Sequence, residues 1–128
     1  MDETATQTMA DPTCMIVEDQ MLIGLALEAY LEENGFDIAG PFPSKEKALR
    51  WLQTGAPDLA LLDIMLADGH CLDLARELKR RGIPFALYSA LPPTEDMPSE
   101  FRGVPWLGKP VDRQAVLRTL EELLSPVS

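Results

Sequence analysis

The sequence predicts an open, doubly wound α/β sheet. Short apolar runs recur along the chain without alternating with polar residues, the pattern of strands buried on both faces. Segments with apolar residues at helical spacing separate them, which pairs the strands in parallel. Charged and polar groups collect at the ends of the runs, where sheets of this class form their sites.

The elements follow in order. Thr13–Val17 (TCMIV) is the first strand. Gln20–Asn34 is a helix, read with Leu22, Leu25, Ala26, Ala29 and Tyr30 as its inner stripe and Asn34-Gly35 as its stop. Phe36–Phe42 is a second strand ending in prolines. Ser44 caps a helix through about Gln53, with Ala48, Leu49 and Leu52 facing inward. Leu59–Asp63 is the third strand, and Gly69–Arg81 a helix striped by Cys71, Leu74, Ala75 and Leu78 and stopped by Gly82. Phe85–Ser89 and Val104–Gly108 are the fourth and fifth strands. Between them Pro92, Pro93 and Pro98 leave room for a turn or two of helix only, so that helix is expected to be short or irregular. Asp112 caps a last helix with Val116, Leu117, Leu120, Leu123 and Leu124 on one apolar face.

At 128 residues the chain suits one domain over 13–124, with a flexible tail over 1–12 and a short one over 125–128. Hydrophobic content of 46% and charged content of 25% are ordinary for a globular protein. Eleven basic against 21 acidic residues give a net charge of −10, which disfavours nucleic acid and anionic membrane surfaces and favours a protein or a cation as partner. The acidic N-terminus is unlike a secretory signal, and no apolar segment reaches the roughly 20 residues of a membrane span, so a cytoplasmic protein without membrane insertion is expected. Cys14 and Cys71 are expected to be free, buried thiols, and His70 a loop or first-turn residue.

Within DLALLDIMLADG (58–69), Asp63 interrupts an apolar run, where an unpartnered carboxylate would be costly. At a strand tip it gains company. Glu18 and Asp19 end the first strand, Ser89 the fourth and Lys109 the fifth. Three converging carboxylates repel unless a cation joins them, and hard oxygen ligands suit Mg²⁺. Lys109 and the Ser89 hydroxyl are suited to holding a phosphoryl oxygen, with Asp63 as nucleophile.

VEDQ (17–20), LLDIML (61–66), YSA (88–90) and GKP (108–110), in this order, resemble the receiver domain of bacterial response regulators in two-component signalling. The resemblance spans roughly residues 13–124 and implies a flavodoxin-like five-stranded parallel sheet of order 2-1-3-4-5. It implies that Glu18, Asp19, Asp63 and the Met65 backbone carbonyl bind Mg²⁺. Asp63 would accept phosphate from a sensor histidine kinase or a histidine phosphotransfer protein, and the chain would act through protein contacts, either as a phosphate shuttle or sink in a relay or as a regulator that binds a downstream target protein. It further makes Ser89 the switch hydroxyl, Lys109 the phosphate-pairing lysine, Lys109–Pro110 a cis peptide, and Trp106 the aromatic switch. Ala67 stands where the family commonly has proline, and the apolar Met65 and Leu91 at the water-gating positions imply a long-lived phosphoryl group. The Pro-rich segment is expected to order on phosphorylation or on partner binding.

A haloacid-dehalogenase-type phosphohydrolase would carry an acid two residues after the nucleophile, but Met65 cannot transfer protons. The chain is therefore read as a phosphoacceptor without a dedicated enzymatic activity. The alternative is an interaction module that keeps the fold and works without phosphate. With no basic helix in the sequence, direct promoter binding by this chain is not expected.

Overall fold

Thr13–Val17 (β1) lies between Asp37–Phe42 (β2) and Leu59–Asp63 (β3), parallel to both. Phe85–Ser89 (β4) continues the sheet beside β3, and Trp106–Gly108 (β5) closes it. With the strands of this sheet numbered in chain order, the arrangement is β2-β1-β3-β4-β5, the order expected. The computed structural model describes residues 11–66, 69–90, 98–110 and 112–124. Met21–Glu33 (α1), Lys45–Leu52 (α2), Leu72–Arg80 (α3) and Arg113–Leu124 (α4) cover the faces.

Strand alternation divides the core into two layers. Met15, Val17, Ala60, Leu62, Phe85 and Leu87 point to the side packed by α2 and α3. Cys14, Ile16, Leu59, Leu61, Ala86 and Tyr88 point to the side packed by α1 and α4. Both faces of β1, β3 and β4 are thus buried, which is why these strands show no polar alternation. Truncating a central residue such as Leu62 to alanine is expected to cost about 2–5 kcal/mol.

Local signals set most boundaries. The Ser44 hydroxyl accepts the Lys47 N–H at 3.2 Å, and Asp112 accepts the Gln114 N–H at 3.2 Å, so both predicted caps form. Gly82 has φ +74°, the left-handed conformation that ends α3. Both Lys109–Pro110 and Gly40–Pro41 are cis. Pro12 accepts the Asp37 N–H at 2.9 Å, so the chain is tied to the sheet edge just before β1.

Several expectations change. In α1 the buried residues are Gly24, Leu27 and Leu31, while Leu22 is 85% and Leu25 48% exposed, with Ala26 and Ala29 also outside. The helix is apolar nearly all round, so periodicity did not define its inner face; close approach to β2 at Gly24 did. The third helix begins at Leu72, because Gly69 and His70 pair with Leu66 and Met65 in a two-residue antiparallel ladder. β5 begins at Trp106, since Pro105 has no N–H to give a ladder and offers only its carbonyl, to Leu87. Between β4 and β5 the described residues hold one 3₁₀ turn, Ser99–Phe101, with Phe101 buried in the α3-side layer. The expectations for Ala67, for Leu91 and most of the Pro-rich segment, and for the two tails beyond residues 11 and 124 lie outside the described residues.

Candidate functional site

The parallel sheet brings the C-terminal ends of β1, β3, β4 and β5 to one edge. Glu18 follows Val17, and its backbone N–H donates to Phe42 at 2.9 Å, extending the β1–β2 ladder by one residue. Asp63 is the last residue of β3 and lies opposite Tyr88 of β4. Lys109 follows Gly108, and its N–H donates to the Ser89 carbonyl at 2.8 Å. Residues separated by 46 and 91 positions therefore meet.

Lys109 is the hub. Its Nζ donates to Asp63 Oδ2 at 2.9 Å and to Glu18 Oε1 at 3.1 Å. Asp63 Oδ1 accepts the Met65 N–H at 3.2 Å, and Glu18 Oε2 accepts the Gln20 N–H at 2.9 Å. Glu18 is 0% and Asp63 5% exposed, so these charges sit in a poorly solvated setting where each contact counts for more than at the surface.

Protonation follows from burial and neighbours. Burial pushes Asp63 up from 3.8 to about 6; Lys109 pulls the other way and Glu18 adds to the rise. Burial would also raise Glu18, but hydrogen bonds from Tyr88, Gln20 and Lys109 outweigh it and hold the carboxyl below its ordinary range. Asp19 is raised by burial and by Glu18 beside it. Burial disfavours the Lys109 charge, yet pairing with Asp63 and Glu18 prevails and raises it.

Glu18, Asp19 and Asp63 each offer an oxygen within 4.8 Å of the others. Three carboxylates against one ammonium leave a formal charge of −2, which a divalent cation neutralises. An all-oxygen donor set fits Mg²⁺ better than a soft metal. Met65, expected to lend its carbonyl, lies next to this cluster, and the residue is 55% exposed.

Ser89 is buried at the end of β4 and pairs with Gly108, on the strand face opposite Tyr88. Trp106 pairs with Leu87 and packs half-buried against the α3-side layer, near Phe101 and Val104 in sequence. His70 sits in the two-residue ladder before α3, away from any helix turn. Sequence reasoning missed Tyr88. Its hydroxyl donates to Glu18 Oε1 at 2.6 Å, and its ring lies 4.8 Å from the Lys109 ammonium. The available signal was a tyrosine inside a fully apolar strand, because a buried phenol needs a partner.

A doubly wound parallel sheet of order β2-β1-β3-β4-β5, with acids and a lysine on its strand tips, defines a class, the flavodoxin-like folds. The family model described as the response regulator receiver domain matches residues 14–121, and the chain belongs to that family. Receiver domains are signalling modules and not dedicated enzymes. Among curated proteins, the chain is 33% identical over 97 residues to the phyllosphere-induced regulator PhyR of Methylorubrum extorquens, covering 72% of this chain and 36% of that protein. It is 36% identical over 77 residues to the uncharacterized transcriptional regulatory protein YcbL of Bacillus subtilis, covering 59% and 34%. The chain thus spans about a third of these two relatives. The solution structure of the Erythrobacter litoralis PhyR receiver domain superposes with a TM-score of 0.81 at 28% identity, covering 94% of this chain and 98% of that one. PhyR from Brucella abortus gives 0.76 at 29% identity, covering 91% and 49%. Among the described residues no helix is long and apolar enough to cross a membrane.

Proposed function

We propose that the chain is a cytoplasmic phosphoacceptor in a two-component pathway, phosphorylated on Asp63. The observation that carries this is the Lys109 ammonium shared between Asp63 at 2.9 Å and Glu18 at 3.1 Å, inside a cluster of net charge −2. An Asp63 oxygen attacks the phosphorus of a phosphohistidine on a sensor kinase or phosphotransfer protein. The P–N bond breaks, and its electron pair stays on the imidazole nitrogen. Lys109 and the Ser89 hydroxyl take the phosphoryl oxygens, and Trp106 reads the change toward β5 and α4. Glu18, Asp19, Asp63 and the Met65 carbonyl would hold Mg²⁺, which when bound supplies positive charge to the transferring group.

A second reading, a phosphate-independent interaction module, draws on the exposed apolar residues Met21, Leu22, Ile23 and Leu25 of α1. One experiment separates the two. Purified protein is incubated with Mg²⁺ and acetyl phosphate, and intact mass is recorded for the wild type and Asp63→Asn. One phosphoryl group on the wild type alone supports phosphoacceptance. No addition to folded wild type, with none from a phosphohistidine donor either, favours the interaction module.

A further inference from the structure

Tyr88 is a buried polar group for which phosphoacceptance supplies no role. It lies on the α1/α4 face of β4, fully buried, opposite Asp63 in the ladder. Its hydroxyl and the Lys109 ammonium donate to the same oxygen, Glu18 Oε1, at 2.6 Å and 3.1 Å. The other oxygen of Glu18 is served by the Gln20 N–H at 2.9 Å. Of the two side chains donating to Oε1, Lys109 alone is also held by the phosphoacceptor.

A phosphoryl group on Asp63 adds negative charge beyond the carboxylate and draws the Lys109 ammonium toward it. Glu18 Oε1 would then lose one of these two donors, and without the Tyr88 hydroxyl it would be a buried anionic oxygen left by both, a costly state. The Tyr88 hydroxyl stays, because its ring is fixed in the core. The geometry points to Tyr88 as a positioning residue that keeps Glu18 in place while Lys109 passes from Glu18 to the phosphoryl group. This rests on Asp63 being the phosphoacceptor.

The test compares wild type, Tyr88→Phe, Glu18→Gln and the double variant. Phenylalanine keeps the ring in the core and beneath Lys109 and removes only the hydroxyl. The rate of phosphoryl uptake from acetyl phosphate with Mg²⁺ should fall about tenfold in Tyr88→Phe, as expected for one hydrogen bond to a charged group. In the Glu18→Gln background the same change should alter the rate less than about twofold, since contacting residues couple and independent ones add. In EDTA, the four proteins should show a Tyr88–Glu18 coupling of about tenfold in the folding equilibrium constant. Uptake in Tyr88→Phe equal to wild type overturns the role, and so does an equal loss in both backgrounds, which would mark Tyr88 as core packing only. Folded wild type that takes no phosphoryl group from acetyl phosphate or from a phosphohistidine donor removes the phosphoacceptor reading and this role with it.

Discussion

Gly24 of α1 lies against Pro41 of β2: a Cβ at Gly24 would fall 2.8 Å from the Pro41 Cβ and 2.9 Å from its Cγ. Neither atom belongs to a flexible side chain. Alanine improves helix propensity by about 1 kcal/mol over glycine, but overpacking typically costs about 1–3 kcal/mol. Gly24→Ala should therefore lower the midpoint of urea unfolding, and a raised midpoint would show that α1 can slide away from β2 freely.

Asp63 should destabilise the metal-free protein at neutral pH. Its pKa in the folded protein is raised from 3.8 to about 6, mainly by burial, so the folded state holds its proton more tightly than the unfolded chain. The stability this contributes is present below about pH 4 and is lost as pH rises through about 6. Asp63→Asn removes that dependence and, after allowing for the partner lost by Lys109, should be more stable than wild type by about 1–3 kcal/mol at pH 7 in EDTA. Denaturation at pH 4 and 7 checks this, and a variant less stable than wild type at pH 7 would mean that the Lys109 pair outweighs burial.

Leu22 and Leu27 lie five residues apart on α1 with opposite fates. Leu22 is 85% exposed and Leu27 4%. Leu22→Asp should shift stability by no more than about 0.5 kcal/mol, whereas Leu27→Ala should cost about 2–5 kcal/mol. Thermal melts of the two variants test the assignment of the helix face directly.

Cys14 and Cys71 are fully buried, and burial raises both thiols to about 12. Thiolate is the reactive form, so both should resist an aromatic disulfide reagent in the native protein and react fully in denaturant. Rapid native labelling of one would reveal local opening of β1 or of the turn before α3.

The sequence by itself determined the class of fold, because strand length, apolar runs and helix caps are local. β1, β3 and β4 have the bounds their composition implies, and Ser44, Asp112 and Gly82 act where their chemistry directs. It also marked Glu18, Asp19, Asp63, Ser89 and Lys109 as strand-tip groups, since each breaks or ends an apolar run. Only tertiary structure decided which face of α1 is inside. A helix apolar nearly all round carries no usable period, and the fit of Gly24 against Pro41 is a contact between distant segments. Tertiary structure likewise joined Tyr88 to Glu18 across 70 residues of chain, because a buried hydroxyl announces that it needs a partner but not which one. The partner is settled by strand order and register, which place β1 and β4 on either side of β3 with Glu18 and Tyr88 on the same face.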